Sequence, residues 1–233
     1  MNKLVAQPLM LLVACATLLY ATPPAAAQTL RDQEIAQCRP GEMTTWGDGR
    51  DRPAVNVPLL FVYRHVSAPP WFTEAQVLAA VRRAAVAWTP CGIASTVKAR
   101  AAGGGVHQGA IAVQWSEAGS RGHFGLANLG ARTLSLGPAA FQLLRTRNPN
   151  YDASSTLQMV ISHEMGHFYG LMAHSRHCID VTSYYDNGQG EKCLTRDAAQ
   201  MKSYVEYRSD LPTACDLQRC RAANGVKDVP PSR

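Results

Sequence analysis

The run His163-Glu164-Met165-Gly166-His167 constrains this 233-residue chain more than any other part of it, because it fixes a helix and also what one side of that helix must face. Leu157, Val160, Ile161, Met165 and Phe168 recur at three- and four-residue intervals until Gly170, so the stretch predicts a half-buried helix, capped by Ser154 or Ser155. His163 and His167 are four apart and project from the same side, where two imidazoles can close on a single metal ion. Zinc suits neutral nitrogen ligands, and a coordination position left open for water separates a hydrolytic centre from a structural one. Glu164 adjoins the first histidine, placed to reach that water instead of the metal, which is the position of a general base. Two hydrogen-bonded core histidines are the plain alternative. Against it, four of the seven histidines fall between His163 and His177.

The rest of the chain says where such a helix could operate. A hydrophobic content of 46% over this length gives one well-buried core. Lys3, an apolar run over 9–20 and Ala25-Ala26-Ala27 read as an export signal covering 1–27, too short and too Pro-broken to span a bilayer, so no stable membrane insertion is expected. Leu12-Val13-Ala14-Cys15 resembles a lipoprotein cleavage site and keeps anchoring through Cys15 as a minority alternative to a free periplasmic or extracellular protein. Without the signal, Cys38, Cys91, Cys178, Cys193, Cys215 and Cys220 form an even set, as expected of an oxidising compartment. The short loops make Cys178 with Cys193 and Cys215 with Cys220 the expected pairs, leaving Cys38 with Cys91. No Cys-x-x-Cys occurs to support a zinc-thiolate site. The net charge of +6 comes from scattered Lys and Arg without a basic run, which argues against nucleic acid as a partner.

Residues 28–56 hold no sustained period and read as an irregular N-terminal segment. A strand follows over 57–66, then a helix opened by the capping pair Thr73 and Gln76 and stopped at Pro90 and Gly92. Shorter strands fit 95–98, 110–115 and 133–136, with a break at Gly103-Gly104-Gly105. The glycine-rich stretch 122–130 is a strand or loop that could border a cleft. A third helix is expected over 195–208, and 226–233 is a tail.

After Gly170 the chain continues to His174 and Ser175, and HEMGHFYGLMAHS resembles the metzincin zinc proteases, the matrixin branch most closely. Their pattern is His-Glu-x-x-His-x-x-Gly-x-x-His, so the resemblance assigns the third ligand to His174, with His177 as the fallback. Gly170 can take the left-handed conformation that turns a later histidine back to the metal. Two departures stand out: Ala173 occupies the family's third-histidine place, His174 following one residue late, and Thr182 occupies the place of a methionine that packs beneath the metal. Tyr184 keeps the place of a tyrosine that in some relatives reaches the metal or the oxyanion. Cys38-Arg39-Pro40-Gly41 only faintly resembles the family's latency switch. The resemblance implies an α+β fold for 57–225: a mixed twisted sheet, a long backing helix, an active-site helix and a C-terminal helix. It further implies a zinc endopeptidase acting on protein or peptide substrates laid along an edge strand, with 122–129 as the rim.

Two other functions are compatible with the residues. One is a zinc hydrolase of another class with an acidic third ligand, for which Glu206 is placed; the other is a zinc-containing binding protein without catalysis. Asp186-Asn187-Gly188 could offer oxygens to calcium, although such triplets commonly serve only as turns.

Overall fold

The computed structural model describes residues 28–100 and 108–227, so the expected signal, Cys15, the break at 103–105 and the end of the tail lie outside the described residues. In chain order the elements are α1 (Leu30–Ala36), β1 (Leu59–Arg64), α2 (Glu74–Trp88), β2 (Ser95–Ala99), β3 (Ile111–Trp115), α3 (Glu117–Ser120), β4 (Gly125–Asn128), β5 (Thr133–Leu136), α4 (Pro138–Arg147), α5 (Ala153–Phe168), α6 (Ala198–Met201) and α7 (Ala214–Ala223). The class is α+β.

The strands form one mixed sheet in the order β2-β1-β3-β5-β4. Neighbours run parallel except β4, which pairs antiparallel with β5, Gly125 opposite Leu136 and Asn128 opposite Thr133. Alternation decides which face is inside. Leu59, Phe61 and Tyr63 of β1, and Ile111, Val113 and Trp115 of β3, are buried, while the residues between them are half-exposed.

Helices α2 and α5 cover the buried face. The Thr73–Gln76 capping box opens α2, and Gly92, at φ 86°, ends the 3-10 turn that follows it. Trp88 is fully buried between the helices and donates its Nε1–H to the Ser162 carbonyl at 3.1 Å, so its one polar group is satisfied inside the core. Phe61 meets Phe168 edge-on at 6.1 Å, and Phe72, Trp115 and Phe124 surround Phe141 of α4. Burying a side chain of this kind contributes about 1.5–3 kcal/mol.

Several expectations need correction. The segment 195–208 is not a helix: only Ala198–Met201 is helical, because Met201 and Tyr207 turn into a small separate cluster with Cys178 and Ile179 while Tyr204 and Val205 stay exposed. The helix comes later, at α7, opened by a Thr213–Asp216 capping box. Its position also overturns two disulfides. Cys215 and Cys220 sit five residues apart on one helix, which turns their side chains about 140° from each other. They reach separate partners instead, giving Cys38–Cys215 and Cys91–Cys220, while Cys178–Cys193 forms as expected. Helix α4 was not foreseen, and the irregular segment 28–56 contains α1 with its own Thr29–Asp32 box. Three disulfides fit an exported protein, and no helix among the described residues is long and apolar enough to cross a membrane.

Candidate metal centre

Helix α5 brings His163, Glu164 and His167 to one place. Its N-cap is Asp152, not Ser154 or Ser155; the Asp152 carboxylate accepts from the Ser154 amide at 2.9 Å, and an acidic group complements the helix N-terminus. Leu157, Ile161 and Met165 are buried in the core, which fixes the rotation of the helix and sets the two histidines on its other side. Gly166 lets α5 settle, since a Cβ there would lie 3.0 Å from the Trp88 ring and 3.1 Å from Thr182 Cγ2. Gly170, at φ 108°, then turns the chain; a Cβ there would come within 2.2 Å of the Arg52 carbonyl oxygen.

The turn delivers His174 to the helix pair. The imidazole nitrogens of His163, His167 and His174 include one from each ring that together lie within 4.8 Å of one another, and the ring centroids are 5.1–5.3 Å apart. Each ring has its other nitrogen occupied. Nδ1 faces the Val181 carbonyl at 2.7 Å in His163, the Leu171 carbonyl at 2.6 Å in His167 and Asp48 Oδ2 at 2.6 Å in His174. Oxygen acceptors of this kind require Nδ1 to carry the proton, which leaves Nε2 as a lone pair. Burial, aided by the other two histidines, holds His163 well below the usual imidazole range, and burial with His174 brings His167 down to about 4. Neutral imidazoles on fixed tautomers are the form a zinc ion binds, so this donor set fits one.

Glu164 stands beside this set, 8% exposed, accepting at Oε2 from the Ala127 amide of β4 at 2.7 Å. Burial pushes its carboxyl up to about 7, with the Ala127 N–H opposing. The close approach of β4 depends on Gly125, where a Cβ would lie 2.5 Å from Val160 Cγ1 and 2.8 Å from Glu164 Cγ.

Side chains distant in sequence hold His174, and spacing gave no sign of them. Asp48 accepts from the His174 amide at 3.0 Å through Oδ1, while its Oδ2 takes both the His174 ring and the Tyr184 hydroxyl, the latter at 2.9 Å. Asp51 accepts from the amides of Met172 and Ala173 at 2.9 and 3.1 Å. Arg219 of α7 donates to the Ala173 carbonyl at 2.7 Å and to Asp51 at 2.8 Å. Thr182, fully buried, donates its hydroxyl hydrogen bond to Asp216 Oδ1 at 2.6 Å and accepts one from Arg219 Nη1 at 3.3 Å, so the floor is a polar network. Asp216 also accepts from the Val181 amide at 2.8 Å, and burial and the neighbouring Asp180 push its carboxyl above the usual carboxylate range.

Of the remaining expected residues, only Tyr184 lies at the three histidines. Tyr184 packs its ring 4.8 Å from that of His174 and stacks on Trp46, with its hydroxyl on Asp48. His177 is buried between Asp180 at 3.3 Å and Glu34 at 3.5 Å; burial opposes its charge, but the two carboxylates outweigh that and push it up to about 9. Glu206 pairs with Arg208 at 2.7 Å and accepts from Tyr185. Asp186 spends its oxygens on Lys192 and the Gly188 amide, and Asn187 bonds to Glu191, as a turn does. Two other His/Cys/Asp/Glu groupings among the described residues both count Cys215, whose sulfur is bonded to Cys38.

No protein-family profile matches the chain, and no curated protein matches it. Among solved structures it is similar to one described as the GM1-bound form of the ECX AB5 holotoxin, at 12% identity and a TM-score of 0.44, over 71% of this chain and 79% of that chain. A likeness of that size carries no argument about what the chain does.

Proposed function

We propose that the chain is a zinc-dependent endopeptidase of metzincin type. The observation that carries this reading is the convergence of three tautomer-fixed imidazoles beside a buried carboxyl. A zinc ion held by His163, His167 and His174 would supply a Lewis acid for a peptide carbonyl and make water more acidic.

The chain's own residues do the rest. Glu164 accepts the proton of the attacking water on a carboxylate oxygen and passes it to the departing amide nitrogen. Strand β4 ends the sheet, so among the described residues one of its edges is unpaired, and its Ala127 amide reaches Glu164. An extended peptide laid on that edge would meet Glu164 and the histidines together. Tyr184 has its hydroxyl on Asp48, so its first contribution in this reading is to hold the carboxylate that orients His174.

The test pairs metal analysis with cleavage of a casein-type substrate, in the wild type and in Glu164→Ala. Both proteins should hold about one zinc per chain, and cleavage should fall by about 10²–10⁴-fold in the variant. A zinc-loaded wild type that cleaves no denatured protein would instead support a zinc-containing binding protein.

A further inference from the structure

A cavity of about 280 Å³ opens beside His167, between the β4–β5 turn and the strap at 52–56. Its charged lining is one-sided. Arg52 and Arg132 both line it, and among the described residues no Asp or Glu contributes to its wall. Arg132 is the unusual member: its Nε and Nη2 are closed to solvent and have no hydrogen-bond acceptor among the described residues. A guanidinium is protonated at any physiological pH, and with Nε and Nη2 closed off, a ligand in the cavity meets the charge of Arg132 and not those two donors.

The turn fixes where Arg132 sits. Its backbone is left-handed, at φ 51°, and the Asn128 side chain holds the turn by accepting from the Ala131 amide at 2.9 Å. A non-glycine residue is uncommon in that conformation. Leu129, Phe168 and Met172 add apolar surface beside Asn56 and His167, and such surface strengthens a charge pair formed against it.

We propose that this cavity is a substrate subsite for a carboxylate, with Arg132 as its specificity-determining residue and Arg52 at its mouth. The proposal rests on the reading of the centre as a peptidase. The carboxylate could belong to an Asp or Glu side chain near the cleaved bond or to a free chain terminus, since both bring the same negative charge into the cavity.

The test uses peptides identical except at one position, where Glu, Gln or Leu is walked along each side of the bond, plus a pair ending in a free carboxylate or an amide. Binding is measured on zinc-loaded Glu164→Ala, so that it does not depend on turnover. Cleavage is measured separately on the wild type. We expect about tenfold tighter binding of one Glu peptide over its Gln counterpart, or of the free terminus over the amide, and which pair responds identifies the source. Adding Arg132→Gln should bring that ratio close to one, whereas Arg132→Lys should keep part of it. Equal binding of every pair, or a Glu preference unchanged in Arg132→Gln, overturns the subsite. Cleavage without any acid preference removes the subsite and leaves the peptidase; acid-selective binding without cleavage does the reverse.

Discussion

His174 stands one residue beyond the place the metzincin pattern gives its third histidine, and the groups that hold it there come from the other end of the chain. Asp48 binds both its amide and its ring, so the extra residue is absorbed by a loop whose end is pinned on two sides. Outer partners of this kind set ligand tautomer and orientation. Asp48→Asn keeps the size and one oxygen but loses an acceptor, and zinc affinity measured by competition with a chelator should weaken by about 10–100-fold. An unchanged affinity would mean that the loop alone positions His174. The helix histidines and Glu164 were legible because a helix converts sequence spacing directly into shared facing. Asp48, Asp51 and Arg219 were not, because nothing in a loop's spacing states which distant carboxylate it meets. Thr182 stood out in sequence only as a missing methionine, whereas in space its hydroxyl joins Asp216 and Arg219 and ties the floor to α7.

Among the elements, the predicted strands and helix α2 were readable because alternation, helical period and a capping box agreed over the same residues. The same capping signal was present at Thr29–Asp32 and Thr213–Asp216 but opened short helices with weak apolar periods, so α1 and α7 were missed. The expected helix at 195–208 failed for the opposite reason: its composition permits a helix, but the segment is drawn into the cluster around Cys178 and Tyr207. Helix α7 matters beyond its length. Asp216 at its third position caps the helix and also holds Val181, whose carbonyl fixes His163, and Arg219, three residues on, holds the loop of His174. Arg219→Met would leave Asp51 without its cation, and Thr182 Oγ1 and the Ala173 carbonyl without a donor. We expect a loss of about 3 kcal/mol in urea unfolding, as for a broken buried ion pair. A change under about 1 kcal/mol would show that α7 is not what braces the floor.

For the whole molecule, two disulfides join α7 to distant parts of the chain, Cys38 across 177 residues and Cys91 across 129. Loops that long give about 5 kcal/mol each in the chain-entropy account, and both clasps meet on the helix that braces the metal-site floor. Spacing favoured a local Cys215–Cys220 loop because only the helix between them reveals that they face apart. Peptide mapping without reduction should recover Cys38 linked to Cys215 and Cys91 linked to Cys220; a Cys215–Cys220 fragment would contradict this arrangement. The central claim is that three histidines, two from α5 and one from the turn after it, form a single zinc site. The most direct measurement is the zinc content of purified wild type and His174→Ala, with thermal melts confirming that both are folded. About one zinc per chain in the wild type and a loss of most of it in His174→Ala is the predicted result; equal zinc in both proteins would contradict it.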